Sequence, residues 1–193
     1  MKTADRYKKE ISREKNEIFH EKSARLKIHM EGVTLKTGYQ PGVIGRVTHM
    51  HAAYYHANWN FGPFFEAKVA SEMAAFIQRY RENRDFLGTV VRQGQIEGAI
   101  AIDGLHAEEK GAHLRWFIVS DVLRSTGAGT LLVQNAMEFC RKNRYKMVYL
   151  WTFEGLDAAR HIYEKAGFRL QKEKIGEQWG TKVKEQCFEM MLG

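Results

Sequence analysis

The chain has 193 residues, 44% hydrophobic and 27% charged, with 17 Gly, 2 Pro and 2 Cys. That length and mix fit one ordinary globular domain and exclude a collagen-like, low-complexity or disulfide-scaffold protein. The 30 Lys+Arg against 23 Asp+Glu give a net charge of +7, unevenly placed: residues 1–30 hold nine basic and five acidic residues, the remainder 21 and 18.

The charge pattern assigns a basic N-terminal arm to residues 1–30 and a mildly basic body to 31–193. A basic arm suits nucleic acid or an anionic membrane. Here acids and bases alternate, as in Arg13-Glu14-Lys15 and Glu21-Lys22. That alternation marks a solvated helix held by i,i+4 pairs. No stretch reaches the roughly 20 apolar residues of a membrane span. The first 22 residues carry no apolar core of a secretory signal. Cys140 and Cys187 form neither a metal spacing nor a disulfide pattern. The expectation is a cytoplasmic protein with no membrane contact and no metal.

In chain order, residues 4–28 read as a weakly amphipathic extra N-terminal helix, ended by Gly32. Residues 33–39 form a strand closed by Gln40-Pro41-Gly42. Residues 46–57 have helical spacing and are broken by Asn58 through Pro63. Pro63 suits the first position of the next helix, whose apolar stripe runs from Phe65 to Tyr80. Residues 86–91 and 95–105 are strands joined by a hairpin turn at Arg92-Gln93-Gly94-Gln95. Residues 112–119 are a third strand, and 130–142 a helix with Leu132, Ala136, Phe139 and Cys140 on one face. The apolar run 147–151 predicts a strand buried on both faces. Residues 157–166 are a short helix stopped by Gly167, and 168–174 and 182–190 close the chain as strands. The order predicts a mixed α/β fold with helices crossing between strands in the second half.

One segment carries chemistry. After the strand ending Phe117-Ile118-Val119 come Arg124, Thr126, Gly127, Ala128, Gly129 and Thr130, where a helix begins. A helix N-terminus offers unpaired N–H groups and partial positive charge. Glycines let its backbone approach a bulky anion, and Arg124 adds a forked cation. This pattern fits a pyrophosphate cradle, and a tight strand-to-helix turn fits the fragment alone equally well. It is not a phosphate-binding loop of the Gly-Lys-Ser/Thr type. It is not a dinucleotide fingerprint either, because residue 132 is Leu.

The run Arg124, Gly127, Gly129 resembles the acyl-CoA motif Arg/Gln-x-x-Gly-x-Gly/Ala of the GNAT superfamily of N-acetyltransferases. Downstream, Tyr163 in a helix followed by Gly167-Phe168 is similar to the second signature of that superfamily. Leu114-Arg115, Leu150-Trp151-Thr152 and residues 45–66 are closer in texture to acetyltransferase domains fused to MarR-type regulators. The resemblance covers residues 34–191 and implies a central sheet of six to seven strands flanked by helices.

It also implies direct transfer of acetyl from acetyl-CoA to an amine, without a covalent enzyme intermediate. Residues 117–119 would splay from the strand at 147–151 and pair with pantetheine. The N–H groups of Gly127, Gly129 and Thr130 would hold pyrophosphate. Tyr163 would protonate the leaving thiolate. Two positions depart from the family pattern: residue 156 is Leu where many members carry Asn, and His113-Leu114-Arg115-Trp116 has no strand Glu. Glu66 and His113 are the candidate bases, acting through water. The alternative is a silent acyl-CoA-binding sensor or interaction module of the same fold. The acceptor is a small-molecule or peptide amine, and a homodimer is left open. A nucleic-acid-binding function is the remaining rival, and it lacks a motif.

His49 and His51 stand two apart in a helix and so do not face one metal. The aromatic cluster Tyr54, Tyr55, Trp59, Phe61, Phe64 and Phe65 fits either core and lid packing or an acceptor-pocket wall. Cys140 reads as inert core, and Cys187 has no base near it in sequence.

Overall fold

A computed structural model describes residues 32–193 of the chain. The helix expected over 4–28, and the arm 1–30 with it, lie outside the described residues. The elements run β1 (Val33–Thr37), α1 (Val43–Trp59), α2 (Pro63–Gln78), β2 (Phe86–Arg92), β3 (Gln95–Asp103), a single turn α3 (Ala107–Lys110) and β4 (Ala112–Val119). A 3-10 turn (Asp121–Leu123) follows, then α4 (Ala128–Lys142), β5 (Met147–Phe153), α5 (Asp157–Ala166), β6 (Arg169–Gly176) and β7 (Val183–Met191). The predicted order holds, with α3 and the 3-10 turn added.

Local chemistry sets the boundaries. Pro63 opens α2, where its missing N–H costs nothing. Gln93 and Gly94 both adopt positive φ, 51° and 78°, the geometry of a two-residue hairpin turn between β2 and β3. Gly167, at φ 111°, ends α5 in the left-handed conformation.

The seven strands form one sheet in the order β1-β2-β3-β4-β5-β7-β6. All neighbours are antiparallel except β4 and β5. Two cores flank the sheet. On one face α1 and α2 bury Val47, Phe65, Met73 and Phe76 against Leu87, Ala99, Ala101 and Ile118. On the other, α4 and α5 bury Leu132, Ala136, Met137 and Tyr163 against Val90, Ile100, Leu114 and Phe188. Adjacent residues of β2 and β3 thus feed opposite cores, as the two-residue strand period requires.

β4 breaks that period at one place. Ala99 pairs with Ile118 and Ala101 with Arg115, so Trp116 and Phe117 together oppose one residue of β3. Trp116 sits at φ 49°. This is a β-bulge, which bends the strand and re-aims its side chains. Before it, Leu114 faces the α4 core and Arg115 faces α2. After it, Trp116 and Ile118 face the α1–α2 core while Phe117 packs toward α4.

One expectation needs correction. Residues 147–151 were expected to be buried on both faces, but Met147, Tyr149 and Trp151 are only half-buried, while Val148 and Leu150 are buried. On that second face Tyr149 stacks on His113, and Trp151 fronts a cavity instead of a helix.

Leu132, fully buried in the α4 core, should cost about 2–5 kcal/mol when replaced by Ala. Exposed Val122, replaced the same way, should stay within about 0.5 kcal/mol. Urea unfolding of the two variants checks the assignment of core and surface.

Candidate active site

The parallel ladder between β4 and β5 is two pairs long, Ala112 with Val148 and His113 with Tyr149. β4 then runs on to Val119 and β5 to Phe153. Among the described residues the facing backbone edges past His113 have no strand partner across the gap, which leaves their donors and acceptors available for a ligand. Two cavities lie along this gap, one of about 350 Å³ and one of about 290 Å³. They share the walls Tyr55, Phe117, Leu156 and Ala159.

The larger cavity runs to the N-terminus of α4. Phe117, Ile118, Val119, Arg124 and Gly129 line it. Arg124 is paired with Asp121 and lies 4.3 Å from the centroid of the Tyr54 ring. Gly127, at φ 94°, caps α4. The hydrogen bond from Leu131 N–H to Gly127 O, at 3.0 Å, starts the helical ladder. The N–H groups of Gly129 and Thr130 precede it and are orphan donors of the first turn. A Cβ on Gly129 would stand 3.1 Å from Ile162 Cδ1 and 3.2 Å from Phe117 Cζ. Glycine there lets α4 pack closely against Ile162 and Phe117.

Thr126, Gly127, Ala128 and Thr130 do not reach the wall of this cavity. The Thr126 hydroxyl donates to Leu123 O at 2.7 Å and lies 3.4 Å from Ala128 N, shaping the turn. The Ala128 methyl is in the core.

The smaller cavity holds Tyr163. Its ring is 6% exposed and packs 5.6 Å from Phe117 and 6.0 Å from Phe168. The phenol lines this cavity beside Phe117, which fronts both. Leu156 also fronts both, so the position lacking Asn is an apolar part of the shared wall. Of the aromatic cluster, Tyr55 and Phe65 line the smaller cavity and Tyr54 and Tyr55 the larger. Phe61 is core and Phe64 exposed.

Of the two candidate bases, Glu66 is exposed on α2 and lines neither cavity. His113 lines the smaller one, stacked 4.4 Å from Tyr149. Sequence reasoning missed Lys68, Glu72, Gln178 and Trp179, which also line it. Lys68 and Glu72, four apart on α2, were legible as a helical pair. Gln178 and Trp179 sit in the β6–β7 connection, where no periodicity marks them.

Burial governs the titration of this cavity. It pushes the His51 imidazole down to about 4, against a smaller opposing effect of the Val47 carbonyl. That carbonyl, 2.9 Å from Nδ1, accepts only, so Nδ1 carries the proton. Burial, then the Arg115 charge, pushes His113 down to about 3. Burial raises the Tyr163 and Tyr55 phenols, keeping both protonated. Burial likewise pushes the Cys140 thiol up to about 12 and Cys187 up to about 11, so neither is a thiolate at neutral pH. Among the described residues no group of three or more His, Cys, Asp or Glu could hold a metal. No described helix is long and apolar enough to cross a membrane.

The depressed histidines make stability fall with acid. The unfolded chain takes up their protons near the ordinary value of 6.5, the folded chain only near 4 and 3. Their contribution is complete above pH 6.5 and is lost as pH falls toward 4, by up to about 3 kcal/mol for His51. Urea unfolding at pH 7 and pH 4.5 should show this loss, and His51→Gln should show a smaller one.

Residues 46–168 match the acetyltransferase (GNAT) family. A comparison with curated proteins gives no match. Among solved structures, a GNAT-family acetyltransferase from Staphylococcus aureus Mu50 is similar at 14% identity and TM-score 0.66, over 83% of this chain and 99% of that one. The ribosomal-protein-alanine N-acetyltransferase of Brucella melitensis is similar at 13% identity and TM-score 0.66, over 82% and 99%. The structure of yncA from Salmonella typhimurium with its cofactor acetyl-CoA is similar at 12% identity and TM-score 0.65, over 84% and 95%. At such identities the likeness is one of fold. The family match spans well over half the chain, and with a seven-stranded sheet opened between β4 and β5, the chain belongs to the GNAT acetyltransferase family.

Proposed function

We propose that this chain transfers acetyl from acetyl-CoA directly to an amine acceptor. The observation that carries the reading is the two-pair ladder of β4 and β5, which opens onto the α4 N-terminus on one side and the Tyr163 phenol on the other. Phe117, Ile118, Val119, Arg124 and Gly129 line the larger cavity, which supports placing the pantetheine and pyrophosphate there. Acetyl-CoA when bound supplies an activated acetyl thioester. We read Leu114-Arg115, Leu150-Trp151-Thr152 and residues 45–66 as resembling acetyltransferase domains of MarR-type regulator fusions, which agrees with this reading.

The roles follow from placement. Backbone N–H groups of Gly129 and Thr130, with the partial positive charge of α4, bind pyrophosphate oxygens. The Gly127 N–H acts with them at the helix cap, and Thr126 and Ala128 shape the turn. Arg124 adds a guanidinium held over Tyr54. The backbone edge of Phe117, Ile118 and Val119 pairs with the amides of the pantetheine arm and polarises the thioester carbonyl. Tyr163 holds a proton for the leaving sulfur. Burial raises its pKa, so it stays protonated until a thiolate forms, and the thiolate meets the same desolvation. No base is assigned to Glu72, the one carboxylate on the smaller cavity's wall, because it is paired with Lys68 and Arg115.

Acetyl-CoA at about 100-fold above its dissociation constant should stabilise the fold by about 2.7 kcal/mol, read as a thermal shift. Arg124→Gln, at an exposed position, should weaken that binding about tenfold without lowering the unliganded midpoint. Tyr163→Phe should keep the shift and lose at least about tenfold in kcat. No shift at millimolar acetyl-CoA overturns the reading.

A further inference from the structure

The wall of the smaller cavity carries an unusual charge arrangement. Lys68 and Glu72 come from α2, Arg115 from β4 just before the bulge. Lys68 Nζ is 2.5 Å from Glu72 Oε1, and Arg115 Nη2 donates to Glu72 Oε2. Behind them Arg115 Nη1 is 3.7 Å from Asp103 Oδ2, which Arg79 holds at 2.5 Å. The chain of pairs thus contains three cations and two carboxylates. At the cavity front Lys68 and Arg115 share Glu72, and Arg115 also faces Asp103 behind it.

The Arg115 guanidinium is fixed and underused. Its side chain is 20% exposed and lies 4.1 Å over the Trp116 ring. Among the described residues its one hydrogen bond goes to Glu72, although a guanidinium carries five donors. Lys68 likewise has donors beyond the one given to Glu72. Planar, preset donors of this kind match a carboxylate. Tyr55, Phe65, Trp151, Phe153 and Trp179 give much of the remaining wall an aromatic surface, beside Val69, Leu150, Thr152 and Gln178. A volume of about 290 Å³ is at the small end of ligand cavities.

Resting on the acetyl-transfer reading, we propose that the acceptor is a free amino acid with an apolar or aromatic side chain, its carboxylate held by Arg115 and Lys68. The aromatic wall takes the side chain. The amine is then aimed at the β4–β5 gap beside Phe117 and Tyr163. A cationic acceptor such as a polyamine meets two cations and a carboxylate already neutralised by them. A peptide N-terminus has no carboxylate beside its amine, so it leaves the two cations without their added partner.

The test measures free-thiol release from acetyl-CoA with matched acceptors: each natural amino acid, its amide, and the amine without the carboxyl group. The free acid of phenylalanine, tryptophan or leucine should exceed its amide and its decarboxylated amine by about 30-fold or more in kcat/KM, the loss expected when a charge-assisted partner is removed. Arg115→Gln should bring the three forms within a few-fold of one another while the acetyl-CoA thermal shift persists. Lys68→Gln, half-exposed on α2, should narrow the preference about fivefold, and it serves where Arg115→Gln does not fold. Amides or decarboxylated amines that match or exceed the free acids overturn the proposal. So does an acetyl-CoA shift with no turnover of any member of the panel. An absent acetyl-CoA shift overturns the acetyl-transfer reading, and this proposal falls with it.

Discussion

The parting of β4 from β5 is the constraint on which the rest depends. Two parallel strands that begin in register must either continue pairing or find other partners for their facing backbone groups. Here the bulge at Trp116 bends β4 away after two pairs, while β5 stays on β7 through seven. A non-glycine residue held in the left-handed region costs roughly 1–3 kcal/mol. Packing of Trp116 against Phe76, at 5.3 Å between ring centroids, and Arg115 above its other side help hold that conformation. The result is an open wedge in the middle of the sheet.

The bulge also sorts side chains. It places Arg115 and Trp116 on the α1–α2 side together, and turns Phe117 to the α4 side. So the strand that supplies a backbone edge to the larger cavity supplies the cation of the smaller one. Tyr55 and Phe117 stand between the two, and α5 brings Tyr163 to the same junction. In the proposed reaction the thioester and the amine meet at this junction. The nucleotide end and the acceptor carboxylate are held at opposite limits of the gap.

Much of the fold was legible because its signals are local. Residues 112–119 and 157–166 match β4 and α5 end to end, and the Gln93-Gly94 turn follows from its residues. Boundaries shifted where caps were subtle, as at α1, which starts at Val43 instead of residue 46. The chemistry of the larger cavity was legible in part, since glycines at a helix start have a backbone meaning. Of the smaller cavity, Tyr55, Phe65, His113 and Tyr163 were singled out by the sequence, but its charged wall was not. Arg115 on β4 is 43 or more residues from the Lys68–Glu72 pair on α2, and only the folded sheet brings it to them. The half-open face of β5 was hidden for the same reason: an apolar run does not tell whether a helix or a cavity covers it.

The most direct test is amide hydrogen exchange across the chain with and without bound CoA. If the wedge and the α4 N-terminus hold the ligand, peptides covering residues 114–119 and 127–131 should exchange more slowly in its presence. Those covering the β6–β7 hairpin should be unchanged. Protection confined to other segments, with the amides of 114–119 exchanging as before, would contradict the claim that the gap between β4 and β5 is the binding site.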